Sequence, residues 1–162
     1  MLNIRHGGTE GDKGKAPMAT EWKLKKSVEK RNEGKEKKKW IAPPEGWVKL
    51  DIDAAFQLST GEASRGAIIR DHTGKVLLSA WALNQRCATV EEAEAEACFE
   101  GIQLAVEWIK KPTIIESDCH YLVKALQTVG ENRARYSNIV KETKDAMMML
   151  PEVVVSKIGR VQ

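Results

Sequence analysis

Four carboxylates stand where chemistry could use them. In KLDIDAAF, Lys49 to Phe56, apolar Leu50, Ile52 and Ala54 alternate with Lys49, Asp51 and Asp53. A strand sends successive side chains to opposite faces, so Asp51 and Asp53 share one face, about 7 Å apart. A buried carboxylate is costly unless it is paired, hydrogen-bonded or bound to a metal. Glu94 and Asp118 follow Asp53 at separations of 41 and 24 residues. Three acidic side chains brought to one edge repel one another unless a cation joins them. Hard oxygen donors of this kind suit Mg²⁺ or Mn²⁺. A pair of such ions activates water and stabilises both oxygens of an in-line displacement at phosphorus. Plainer explanations stand beside this one. Glu94 falls in the first turns of a helix, where a negative charge favours the dipole. Asp118 precedes a helix, where Asp is a preferred N-cap.

The elements that must position these residues are legible in the patterning. A strand is expected over about Val48–Gln57, followed by the turn-rich stretch Ser59–Arg65 and a second strand, Gly66–Asp71. His72-Thr73-Gly74 makes a tight turn with Asp71, and a third strand runs from Lys75 to about Leu83. Three strands joined by short turns read as an antiparallel meander. Thr89 and Glu92 have capping-box spacing, so a helix starts near Val90 and continues to about Lys110, before Pro112. On that helix Glu92, Glu96, Glu100, Gln103 and Glu107 share a polar face. Glu94 instead joins the stripe Ala97/Cys98, Gly101, Ala105 and Trp108, whose small residues allow close approach to a sheet. A short strand at Thr113–Ser117 places Asp118 at its carboxyl end, where open α/β sheets bind ligands. Helices are expected over about Cys119–Val129 and Arg135–Leu150, the second with Tyr136, Ile139, Val140, Thr143 and Met147 on one side. Pro151 stops it, and Val153–Gly159 reads as the last strand. The order β-β-β-α-β-α-α-β implies an α/β fold, a five-stranded mixed sheet covered by helices.

The chain of 162 residues has a 42% apolar and 30% charged composition, enough for one domain with a real core. Its net charge of +3 is uneven. Residues 1–39 hold 12 Lys/Arg against 6 Asp/Glu, whereas residues 40–162 hold 14 against 17. The first 39 residues have few large apolar side chains and read as a basic, largely disordered tail, with a short helix around Glu21–Arg31. Its run KEKKK, Lys35–Lys39, is a solvated linker, an attractor of nucleic acid or a nuclear import signal. WIAPPEGW, Trp40–Trp47, marks the boundary of the domain at 40–162. No run of 18 apolar residues suggests a membrane span, and the N-terminus lacks the apolar core of a secretory signal. Cys87, Cys98 and Cys119 form no CxxC pair, so no zinc site or disulfide framework is expected. The expected setting is reducing and intracellular, in nucleus or cytoplasm.

Four segments in order resemble the ribonuclease H type 1 domain, in the retroelement-derived, reverse-transcriptase-associated form abundant in plants. WIAPPEGWVKLDIDAAF is similar to the family's Trp-Pro-Pro-Gly entry and Lys-x-Asn-x-Asp-Gly/Ala-Ala strand. RGAIIRDHTGKV resembles its second strand, hairpin and third strand. AEAEACFEGIQLA resembles its glutamate helix, and IIESDCHYLVKAL its strand-Asp-Ser-helix segment. The resemblance implies that Asp53, Glu94 and Asp118 are catalytic and ligate two Mg²⁺ ions (or Mn²⁺). It implies endonucleolytic cleavage of the RNA strand of an RNA–DNA hybrid, leaving 5′-phosphate and 3′-hydroxyl ends. Nucleic acid is then the partner, read through its A-like groove and 2′-hydroxyls. Three departures follow from the comparison. Asp51 stands where the family usually has Asn, and Cys119 where it has Ser. The family's last helix and fourth acidic residue would follow Arg160, so both are missing from these 162 residues. A non-catalytic nucleic-acid-binding or protein-interaction remnant is the alternative reading.

Overall fold

The computed structural model describes residues 2–6, 40–130 and 135–159. The expected helix at Glu21–Arg31, the KEKKK run and Arg160 lie outside the described residues. The strands are β1 (Leu2–His6), β2 (Val48–Gln57), β3 (Glu62–Asp71), β4 (Val76–Arg86), β5 (Thr113–Ser117) and β6 (Val153–Lys157). The helices are α1 (Val90–Leu104), α2 (His120–Gln127) and α3 (Ser137–Met147). They build one mixed sheet in the order β1-β4-β3-β2-β5-β6. β2, β3 and β4 form the antiparallel meander, and β5 and β6 add parallel to β2. The α/β architecture is the expected one, with six strands rather than five. The extra strand, β1, comes from the start of the segment read as a tail and pairs antiparallel with β4. A five-residue strand needs no periodicity of its own when an open edge supplies its hydrogen bonds.

The strands form where the alternation places them. Leu50 and Ile52 of β2, Ala67 and Ile69 of β3, Leu78 and Ala80 of β4 and Ile115 of β5 are buried under the helices. β3 begins four residues earlier than expected. Glu62–Arg65 pairs with Ala54–Gln57, and the turn is confined to Leu58–Gly61. Gly61 takes a positive φ there of 71°. The β3–β4 turn is held by Asp71, whose carboxylate accepts from the Thr73 and Lys75 amides at 2.9 and 3.0 Å.

α1 opens on the expected cap. Thr89 Oγ1 accepts the Glu92 amide at 3.1 Å, and Glu92 Oε2 accepts the Ala88 amide at 2.6 Å. The helix lies across β2 and β3, α3 packs on α1, and α2 touches β5, β6 and both other helices. The three helices thus form one layer. At Gly101, α1 packs directly against Leu50 and Ala67 of the sheet. After Leu104 the helix loosens into a π-helical turn, Ala105–Ile109, ending at Lys110 with φ 54°. This corrects one expectation. Trp108 is 52% exposed and does not anchor the buried stripe. A π turn takes more residues per revolution, so the phase that holds from Glu94 to Ala105 is lost before Trp108. Among the described residues no helix is long and apolar enough to cross a membrane.

Candidate functional site at the carboxyl ends of β2 and β5

The sheet face turned away from the helices carries charge. Lys49, Asp51 and Asp53 of β2 point there, beside Arg70 of β3 and Glu116 of β5 by the strand register. Lys49 is buried and donates to Glu116 at 2.8 Å and to the Ile41 carbonyl. Arg70 donates to Asp51 at 2.5 Å. Trp40 lies over both cations, 5.2 Å from Lys49 Nζ and 5.7 Å from the Arg70 guanidinium carbon. Burial pushes the Asp51 carboxyl above its ordinary value, with Arg70 as the largest opposing influence and a Trp40 side-chain hydrogen bond adding to it. Asp51 is therefore occupied by Arg70. The sequence pattern gave no hint of this pairing, since Arg70 stands beside a hairpin and could have been solvated.

Asp53 is different. It is exposed, two residues beyond Asp51 on the same face. The parallel pairing of β2 with β5 runs to Asp51↔Glu116. Extending that register by two residues brings Asp53 level with Asp118, just past the end of β5. Asp118 is half-buried and stands one residue before the helix cap. The cap position falls on Cys119, whose amide donates to Ser117 Oγ at 3.1 Å. The N-cap explanation of Asp118 is thus displaced by one residue.

Glu94 is 3% exposed, on the sheet-facing side of α1. Its neighbour Ala93 packs with Ala63 and Cys87, and Ala54 and Phe56 close the same cluster. The start of α1 therefore lies over the carboxyl-terminal half of β2. Glu94 also sits near the β5–α2 junction, because its charge acts on two buried thiols. Burial pushes Cys98 up to about 12, with Glu94 adding to the rise. Burial likewise raises Cys119, with Glu94 contributing again. Asp53, Glu94 and Asp118 thus occupy the same end of the sheet, drawn there from a central strand, a helix start and a strand tip. Asp53 lies on the face away from α1, and Glu94 approaches from the helix layer. Among the described residues no three His, Cys, Asp or Glu side chains stand close enough to hold a metal ion as a group. The acidic groups line this end of the sheet without closing on a single point.

A third charged group escaped the patterning. Arg65 of β3 is buried on the helix side, where its guanidinium meets Glu96 and, at 2.5 Å, Glu100. The two glutamates belong to the expected polar face of α1. His120 and His72 are exposed, the latter in its hairpin turn.

The comparisons with known proteins agree with this architecture. A family model described as reverse transcriptase-like matches residues 51–162. An Arabidopsis thaliana protein that carries a ribonuclease H name is 34% identical over 91 residues, 55% of this chain and 14% of that protein. The chain therefore spans a small part of that relative's length. Among solved structures, RNase H1 of the archaeon Halobacterium salinarum superposes with a TM-score of 0.65 at 16% identity, covering 71% of this chain and 87% of that one. LC11-RNase H1, solved with an RNA/DNA hybrid, gives a TM-score of 0.61 at 18% identity, covering 70% and 86%. With four ordered motifs, the sheet order and the family match in agreement, this chain belongs to the reverse transcriptase-like family and carries an RNase H-like domain.

Proposed function

We propose that the domain binds RNA–DNA hybrids and cleaves their RNA strand, with Asp53, Glu94 and Asp118 as ligands for Mg²⁺ or Mn²⁺. The reading is supported by the family match together with the placement of Asp53, Glu94 and Asp118 along the same half of an RNase H-like sheet. The donor chemistry fits the ions, since all three offer hard carboxylate oxygens. When bound, such ions activate water and stabilise the oxygens of an in-line displacement at phosphorus. The chain's own residues do the rest. Exposed Asp53 is accessible to a backbone phosphate approaching the open face. Glu94, held in the helix layer, gives the site a fixed wall. Asp118 closes the flank where β5 ends. Asp51 does not join them, because Arg70 takes its charge. One solved relative of this fold is in complex with an RNA/DNA hybrid, which supports that choice of substrate.

The second reading is a domain that binds nucleic acid without cutting it. It is favoured by the spread of the carboxylates, which form no close metal-holding group among the described residues. One experiment separates the two. The full chain is incubated with a labelled hybrid and Mg²⁺, beside Asp53→Asn. Asp53 is exposed, so the substitution should leave the fold intact. Cleavage that vanishes in the variant supports the nuclease. Retained binding with no cleavage by either protein, falling steeply with salt, supports the binding module.

A further inference from the structure

We propose that Arg65 is the positioning residue that sets where Glu94 stands relative to Asp53. This rests on the nuclease reading for its consequence but not for its geometry. Arg65 pairs across the sheet with Ala54, the residue next to Asp53. Its guanidinium is buried and bridges to α1 through Glu96 and Glu100, which are one helical turn apart. A single contact would let a helix pivot. Two contacts on successive turns fix both its slide along the axis and its rotation. A slip of one residue moves a helix by about 1.5 Å and turns it by about 100°. Either displacement would take Glu94, two residues before Glu96, away from the carboxyl-terminal half of β2 that carries Asp53. Apolar contacts near Glu94 add little to this. The buried apolar residues of the first half of α1, Ala93, Ala95, Ala97 and Cys98, are small, and the large buried ones, Ile102 and Leu104, stand two turns further on.

The planar guanidinium fork is suited to this task, whereas a lysine offers one point charge on a flexible stem. Arg65→Lys therefore keeps the charge and the fold while losing one of the two contacts. The test uses the full chain with two readouts. In metal-free protein, methyl nuclear Overhauser contacts from Ala93 to Ala54 and Ala63 report where α1 lies. In a hybrid-cleavage assay, the Mg²⁺ concentration for half-maximal rate is compared with that of wild type. Arg65→Lys should weaken or shift the Ala93 contacts and raise the Mg²⁺ half-saturation about tenfold or more, with a smaller change in KM for hybrid. Glu96→Gln combined with Glu100→Gln, which removes the partners instead, should give the same pattern. Unchanged Ala93 contacts in both variants would overturn the inference whether or not the protein cleaves anything. Shifted contacts in a protein whose wild type does not cleave would leave Arg65 as the positioning group and remove the nuclease reading. Cleavage by wild type with shifted contacts but an unmoved Mg²⁺ requirement would also overturn the inference, because Glu94 would then not depend on the clamp.

Discussion

Replacing Gly101 with Ala sets two known effects against each other where α1 packs directly on the sheet. In an exposed helix interior the change would stabilise by about 0.5–1 kcal/mol, because glycine loses more backbone freedom on folding. At Gly101 the added Cβ would lie 3.0 and 3.1 Å from the two Leu50 methyls and 3.3 Å from the Ala67 Cβ. The optimum for carbon pairs is about 3.5–4.0 Å. Leu50 is completely buried and cannot swing into solvent, and Ala67 is fixed to the backbone of β3. Relief must come from lifting α1 or from a strained Leu50 rotamer, and overpacking of this kind costs about 1–3 kcal/mol. The clash wins, with a net loss of about 1–2 kcal/mol and a fall in Tm of roughly 3–6 °C. Urea titration of the full chain measures it through the transition midpoint. Lifting α1 also lifts Glu94, so on the proposed nuclease reading hybrid cleavage should fall by more than the lost stability explains at temperatures where the variant is folded. A Gly101→Ala protein more stable than wild type would refute the reasoning, since it would mean that α1 is free to back away from the sheet at no cost.

Lys49→Met removes a buried ammonium and leaves Glu116 facing Asp51 without its partner. The expected loss is about 3 kcal/mol in urea, largely recovered in Lys49→Met/Glu116→Leu, since a paired apolar replacement is often neutral. The Cys98 thiol is raised from 9.0 to about 12, so the folded state holds that proton more tightly than the unfolded chain. Its contribution to stability is complete below pH 9 and is lost as pH rises from about 9 to 12, at up to about 1.4 kcal/mol per pH unit. Denaturation midpoints at pH 8, 9 and 10 in wild type and Cys98→Ala should show the steeper decline in wild type. Thr89→Ala removes the acceptor for the Glu92 amide and should cost about 1 kcal/mol, measured by the same titration.

The central strands were readable because two faces impose alternation on them. β2 and β5 run as the pattern of Leu50, Ile52, Ile115 and their neighbours dictates, and α1 starts at its capping box. Three features were not readable, for separate reasons. β1 owes its conformation to the open edge of β4, a partner about 75 residues away in sequence, and the alternation of Leu2 and Ile4 with Asn3 and Arg5 is too short to stand out. Trp108 follows the small-residue stripe on paper, but the π turn ahead of it cannot be seen in residue types. Arg65 sits among turn formers, and Glu96 and Glu100 share a face with exposed Gln103 and Glu107. Only the pairing of Arg65 with Ala54 reveals that the three meet beneath α1.

The charged face beneath the sheet bears on how Asp51 would affect the proposed cation site beside it. An extra carboxylate about 7 Å from Asp53 would compete for the same ions and repel phosphate. Lys49 and Arg70 offset Asp51 and Glu116, two positive charges against two negative, with Trp40 over both cations. The cluster is locally neutral before Asp53 is reached. On the proposed reading, the carboxylates that take up cations at this end of the sheet are Asp53, Glu94 and Asp118, whose three negative charges two divalent cations more than balance. A loaded site would be net positive, as a site that receives a phosphodiester must be. The Asp51–Arg70 pair therefore matters less for its own energy, which is small for two partly exposed groups. Its effect is that Arg70 offsets the Asp51 charge before it can add to that of the proposed site.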